Sequence, residues 1–403
     1  MLKTKQGPDN PAPAGEVATR LLAYCRANNW AGYDPYDALN SRVFRGLPFL
    51  DFKLARLILT QAVKRCPINL RGLLAVPKSP NPKGIALFLS ALIKLEKIGL
   101  AEGDETTRSL AETLLASRSP GQRHSCWGYN FDWQTKGPLV PKGSPNIICS
   151  TFAADSLLDA YKRSGESRYL QAATSVAEFI LDVLFRRIDD FQACLSYTPL
   201  GRDEIHNANL LGAALLCRVG RASGRGEFLR PALDAARYSV RRQHDDGAWA
   251  YGEAPSQRWI DNFHTGYNLT ALRRIGVYGE TKEFEPAVRR GFRYYRDHFF
   301  RSDGAPRYYH DSTYPIDIHS AAQSIITLVF LDDPGEGHID LARAVLRWTL
   351  ANMWDARGYF YFQKHPAFTV RVPFMRWSQA WMLLALATYL ERVGPHPRPT
   401  RDS

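Results

Sequence analysis

Trp249 to Arg274 reads WAYGEAPSQRWIDNFHTGYNLTALRR. A glycine turn, His244-Asp-Asp-Gly247, leads into an aromatic, strand-like segment that ends at Tyr251. A polar stretch follows, Trp259 to His264, and from there apolar residues recur at helical spacing. Asp261, Asn262 and His264 therefore gather where an apolar helix starts. Buried polar groups need partners, so a cluster this polar at the mouth of a core helix points to a site as well as to packing.

The unit recurs along the chain. Upstream lies Cys126-Trp-Gly-Tyr-Asn-Phe-Asp-Trp133, then a helix from Ile147. Leu195-Ser-Tyr197 and Asp203-Glu-Ile-His-Asn207 precede the next. Downstream, Asp303 to Tyr309 and Ile316-Asp-Ile-His319 precede a fourth, and Gly358 to Phe362 with Pro373 to Trp377 precede a fifth. The aromatic anchors Tyr197, Tyr251, Tyr308 and Phe360 stand 54, 57 and 52 residues apart, the period of a helical hairpin plus a loop.

Two kinds of helix alternate. Those expected over 84–96, 147–163, 206–219, 261–275, 318–330 and 374–391 are apolar nearly all round. Those over 52–65, 105–117, 167–184, 227–243, 284–300 and 337–354 carry a single apolar stripe. A helix covered on all sides is apolar all round, and an outer helix needs one stripe. Six of each predict an all-α fold, an (α/α)6 barrel. The long inserts 118–146, 185–205, 244–260, 301–317 and 355–373 hold many of the Trp and Tyr residues. Emerging at one end of the ring, they form an aromatic bowl whose floor is the polar N-termini of the inner helices.

No Pro/Gly/Ser-rich linker divides the 403 residues, so 1–403 is expected to be one toroid domain. Within it, 1–48 forms an N-terminal helix and capping segment, and 394–403 a flexible tail. Six scattered cysteines without a CxxC spacing, and a start without an apolar h-region, predict a cytoplasmic protein with no transmembrane segment. The formal charge is +12, without a dense Lys/Arg block or a nucleic-acid module. The expected partner is an anionic carbohydrate and not a nucleic acid.

Asp261 and His264 share a helix face and suit a general base with its orienting group. Asp317 and His319 repeat the pairing one unit later, and His206 with Asn207 one unit earlier. Asp132 lies between aromatics, where an acid works beside a stacked sugar. Arg376 offers a fork to a carboxylate or phosphate. Trp127, Trp133, Tyr197, Trp249, Tyr251, Trp259, Tyr308 and Trp377 are the expected stacking residues, with Asn262 a further polar contact. Helix capping by the acids and ordinary packing of the rings are the alternatives. No metal-motif spacing, Gly-rich phosphate loop or GxSxG is present, so no metal or cofactor is expected.

The motifs WGYNFDWQ, DDGAWAYG with IDNFHTGYNL, and MRWSQAW, over residues 30 to 392, resemble the six-hairpin (α/α) toroid superfamily. They are especially similar to a bacterial group associated with surface-polysaccharide biosynthesis, which implies peripheral association with polysaccharide-assembly machinery. The superfamily includes glycoside hydrolases, unsaturated glucuronyl hydrolases, polysaccharide lyases and sugar epimerases. The resemblance implies a carbohydrate-active enzyme, with hydrolysis by the paired carboxylates Asp132 and Asp261 ranked slightly first. The alternative is a lyase or uronate C5-epimerase with His264 or His206 as base and Tyr251 as acid. A non-catalytic glycan-binding subunit is a third reading. Isoprenoid chemistry is a fourth, although the DxDD motif of squalene-type cyclases is absent.

Overall fold

The computed structural model describes residues 14–102, 104–135, 137–333 and 337–394. Before the first hairpin come α1 (Ala14–Ala27), α2 (Arg42–Arg45) and α3 (Lys53–Arg65). The hairpins follow: α4 (Pro82–Lys97) with α5 (Asp104–Ala116), α6 (Ile147–Ser164) with α7 (Ser167–Phe179), and α8 (His206–Ser223) with α9 (Leu229–Val240). Then come α10 (Asn262–Tyr278) with α11 (Glu285–His298), α12 (Ile318–Phe330) with α13 (His338–Met353), and finally α14 (Trp381–Val393).

The even-numbered helices from α4 to α14 form a closed inner ring, each packed on the next and α14 on α4. In α8 the run His206 to Cys217 is buried without a break, as an inner helix requires. In the outer helix α11 only Ala287, Val288, Gly291, Tyr294 and Tyr295 are buried, one stripe at helical spacing. The fold is the expected (α/α)6 toroid. One assignment differs. The sixth outer helix is α1, which packs on α14 through the stripe Val17, Ala18, Leu21, Leu22 and Cys25, and not the segment 52–65. That segment, α3, buries only Thr60 and Val63 and sits on the rim. The first thirteen residues of the expected 1–48 cap, and 395–403 of the expected tail, lie outside the described residues.

The inserts gather at the N-terminal end of the inner ring, pinned by short antiparallel ribbons such as Trp133–Gln134 with Leu139–Val140. A repeated hydrogen bond joins them to the helices. Ile147 N donates to Tyr197 O (3.0 Å), His206 N to Tyr251 O (3.1 Å), Asn262 N to Tyr308 O (2.9 Å), Ile318 N to Phe362 O (3.1 Å) and Met375 N to Tyr33 O (3.0 Å). Each bond satisfies an N–H at or near a helix start, where no intrahelical acceptor exists. At the sixth start, α4 opens with Pro82, which has no N–H to donate. Side chains finish the caps: Asn146 on Cys149 N, Asp261 on His264 N and Asp317 on His319 N. The recurring anchor in the last unit is thus Phe362 rather than Phe360.

In the first insert Gly128 permits a close crossing: a Cβ there would stand 2.1 Å from the Ser144 carbonyl oxygen. Backbone cannot move aside as a flexible side chain does. Gly128→Ala is expected to destabilise the protein by about 1–3 kcal/mol, read as a lowered midpoint in thermal or denaturant unfolding.

Candidate active site

A cavity of about 350 Å³ opens where the N-termini of all six inner helices converge. Each contributes at or just before its first turn: Lys83 from α4, Ile148 from α6, Asn207 from α8, Phe263 and His264 from α10, and His319 from α12. Arg376 and Trp377 come from the π-helical turn Met375–Ala380 ahead of α14. The inserts add Tyr129, Phe131, Trp133, Tyr197, Tyr251, Trp259, Tyr308 and Tyr309, and Tyr36 and Lys64 close the rim. Six helix N-termini, each carrying a partial positive charge of about half a unit, face one space.

His264 is held by Asp261. Asp261 Oδ2 lies 2.7 Å from His264 Nδ1 and 2.9 Å from Trp259 Nε1, while Oδ1 accepts from His264 N at 3.0 Å. A carboxylate accepts, so a proton sits on Nδ1, and Nε2 is the bare nitrogen of the neutral ring. The ring is 20% exposed, on the cavity wall. Tyr251 packs against it at 4.5 Å between centroids and stacks on Trp259 at 4.5 Å. Asp261 therefore both caps α10 and orients the His264 ring.

The second imidazole is treated differently. His319 lies between Phe263 (4.6 Å, 16°) and Trp381 (4.5 Å, 29°), and its Nε2 is 2.5 Å from Tyr267 Oη. Burial, helped by Lys83 and Arg376, drives its pKa well below the ordinary value, so the ring is neutral. Its Nδ1 is buried without a partner. Burial also lifts the Tyr267 phenol well above its usual range, so Tyr267 keeps its proton. Asp317 does not reach the cavity. It accepts from Gln363 Nε2 (2.6 Å), Trp377 Nε1 (3.0 Å) and His319 N (2.8 Å). Burial pushes its carboxyl up to about 6 despite these donors.

Arg376 Nε and Nη2 reach the Asp34 carboxylate at 2.6 and 2.8 Å, which fixes the guanidinium beside the Tyr129 ring (5.2 Å). Lys83 is 4% exposed, with Nζ 4.4 Å from the Phe152 ring and 5.1 Å from Trp381. Among the described residues no oxygen accepts a hydrogen bond from it. Burial, with Arg376 adding repulsion, lowers its pKa to about 7. Asn207 Oδ1 is a further buried acceptor without a partner.

Ten of the expected site residues line this cavity: His264, His319, Trp133, Tyr197, Asn207, Tyr251, Trp259, Tyr308, Arg376 and Trp377. Seven do not. Asp132 lines a separate depression, paired with Arg45 (2.9 Å) and accepting from Lys142 N (2.7 Å). The carboxylate pair Asp132–Asp261 is therefore not assembled across one groove. His206 is buried against α9, bridging Ser239 Oγ (3.1 Å) and Glu253 Oε1 (2.8 Å). Asp261 and Asp317 sit behind the wall as described. Trp127 and Trp249 are core residues whose indoles donate to Leu114 O and Ser239 O. Asn262 Oδ1 accepts from Tyr295 Oη (2.9 Å) inside the protein. Sequence reasoning missed Lys83 and Tyr267. Lys83 had a signal, a lone lysine in the first turn of an apolar helix, where the helix dipole disfavours it. Tyr267 stands three residues after His264, on the same helix face. Among the described residues no group of three or more His, Cys, Asp or Glu side chains is placed to hold a metal ion.

Neither a family model nor a curated relative matches the sequence. Solved structures do match in fold. Cellobiose 2-epimerase from Bacillus thermoamylovorans B4167 superposes with a TM-score of 0.62 at 10% identity, over 77% of this chain and 87% of that one. An unsaturated glucuronyl hydrolase specific for heparin gives 0.59 at 12% identity, over 94% and 96%. A sugar epimerase from a ruminal bacterium gives 0.60 at 12% identity, over 80% and 90%. The chain thus resembles several carbohydrate-active (α/α)6 toroids, and at these identities the likeness is one of fold.

The folded protein disfavours the Lys83 ammonium, so between about pH 7 and the free-lysine value the unfolded chain binds the extra proton. Stability should therefore rise with pH across that window. Lys83→Met should be more stable than the wild type at pH 7 and below, by on the order of 4 kcal/mol. Urea titrations should show the difference shrinking towards pH 10.

Proposed function

We propose that the protein is a carbohydrate-active enzyme that moves a proton at a sugar carbon next to a carbonyl or carboxylate, as sugar epimerases and uronate lyases do, on an anionic substrate. The observation that carries this reading is the composition of the cavity wall. Two imidazoles and a tyrosine stand together there, and no carboxylate is among its described lining residues. Glycoside hydrolysis by paired carboxylates needs two acids across an open groove.

His264 Nε2 is the base, oriented by Asp261, and takes the proton from carbon. The electron pair left behind moves onto the neighbouring oxygen as an enolate. Lys83, Arg376 and the inner-helix N-termini stabilise that charge. Tyr267, hydrogen-bonded to His319, returns a proton to carbon in epimerisation or assists the leaving oxygen in elimination. The aromatic walls of Tyr251, Trp259 and Tyr308 offer stacking faces to the sugar ring, and Asn207 an acceptor for a hydroxyl. Lys64 and Lys83 on the wall and the six helix N-termini favour a uronate or a phosphorylated sugar. The fold likeness to sugar epimerases and a glucuronyl hydrolase is consistent with a carbohydrate substrate and does not choose the reaction.

The test is isotope exchange in D2O with reducing disaccharides and uronate-containing oligosaccharides. In epimerisation one carbon-bound proton should be replaced by deuterium alongside epimer formation; in elimination that proton should be lost without replacement as absorbance at 235 nm appears. His264→Ala should lower the rate by about 10²–10⁴-fold, with Tyr267→Phe also impaired. New reducing ends with neither carbon-bound deuterium nor absorbance at 235 nm, formed equally by His264→Ala, would overturn the proposal.

A further inference from the structure

Among the described residues, eight of the nineteen exposed large hydrophobic side chains fall between Val43 and Leu73, a span of 31 out of 403 residues. Phe49 is 74% exposed, Leu54 60%, Ile58 58% and Leu73 81%. Leu54 and Ile58 lie one turn apart on α3, and Gln61 and Arg65, also exposed, continue that face. Phe49 and Phe52 stand just before the helix, and Ile68 and Leu73 just after it. The other side of α3 rests on the turn Asp37–Asn40 and the strand Trp133–Gln134, so ring packing does not cover the apolar face.

The charge of this segment is as uneven as its polarity. From 42 to 73 the sequence holds seven basic residues, Arg42, Arg45, Lys53, Arg56, Lys64, Arg65 and Arg71, against one acid, Asp51. Arg45, Arg56 and Arg71 are paired with Asp132, Asp51 and Asp37. Arg42 and Arg65 are exposed, with no ion-pair partner among the described residues. Exposed apolar side chains interleaved with basic ones are what an interfacial helix presents to lipid. A second copy docked on the same face would set this positive surface against itself. An anionic bilayer complements both features. No helix among the described residues is long and apolar enough to cross a membrane, so the contact is peripheral.

We propose that the face formed by Val43–Leu73 docks the protein on an anionic lipid bilayer, with Phe49, Phe52, Leu54 and Ile58 entering the headgroup layer and Arg42 and Arg65 meeting lipid phosphates. The same helix brings Lys64 to the cavity wall, so the docked face lies beside the cavity mouth. Docking stands on surface composition and is independent of the chemistry inside.

The experiment is vesicle co-sedimentation of the full chain with phosphatidylglycerol/phosphatidylcholine vesicles and with pure phosphatidylcholine, at low and high salt. The wild type should pellet with the anionic vesicles, and at least tenfold less with neutral ones or at high salt. Phe49→Ser/Leu54→Ser/Ile58→Ser should cut binding at least tenfold. Its thermal midpoint should stay close to that of the wild type, because the three side chains are exposed. Arg42→Glu/Arg65→Glu should weaken binding to anionic vesicles alone. Three results would each overturn the proposal: no pelleting of the wild type at low salt, binding unchanged in the triple variant, or a solution dimer that the triple variant dissociates.

Discussion

The bond from an insert carbonyl to the N–H at the start of an inner helix holds this molecule in register. It recurs five times around the ring, with Tyr197, Tyr251, Tyr308, Phe362 and Tyr33 as acceptors. A helix start buried in a ring has donors that water cannot reach, and each must find an acceptor. Meeting that need with the backbone of an aromatic insert has a second effect. It lays the rings of Tyr197, Tyr251 and Tyr308 over the space where the helices converge. Fold closure and cavity wall therefore follow from one requirement.

The polar side chains that complete those caps also set the surroundings of the two imidazoles. Asp261 and Asp317 occupy the same structural position on neighbouring helices, and each caps its own helix. Asp261 turns its second oxygen to an imidazole and an indole, leaving His264 Nε2 towards the cavity. Asp317 turns inward to Gln363 and Trp377, and its neighbour His319 is stacked, neutral and bonded to Tyr267. Equivalent capping acids are thus followed by two imidazoles, three residues on in α10 and two in α12, with opposite surroundings. Separating the properties of paired groups in this way is how a site acquires a base and an acid.

The alternation of all-round apolar and one-stripe helices was enough to read the ring, because burial on every side leaves a plain mark on composition. Five of the six inner helices begin within two residues of where periodicity places them; the sixth, α14, starts at Trp381 rather than 374, after the π-helical turn Met375–Ala380. The sixth outer helix was not legible: 52–65 and α1 both carry apolar residues at helical spacing, and only closure of the ring decides which one packs on α14. Phe360 and Phe362 lie two apart in an extended segment, on one face, so spacing alone does not identify the one that caps. At the site, capping and function compete as readings of Asp261, and one carboxylate both caps α10 and holds the His264 ring. Asp132 misled because its aromatic neighbours face the cavity while its carboxylate turns to Arg45 and Lys142. Lys83 is not legible because it falls one residue before the expected helix 84–96, where a lysine resembles a loop residue until the ring closes over it.

Under the proposed function two unlike imidazoles, rather than a carboxylate pair, govern the cavity. Nitrogen-15 NMR of histidine-labelled protein tests it directly. His264 is expected as the tautomer with its proton on Nδ1 and a bare Nε2, and Asp261→Asn should disturb that preference. His319 is expected to remain neutral from pH 8 down to 5. A His264 proton resident on Nε2, or a His319 ring that takes up a proton within that range, would contradict the account.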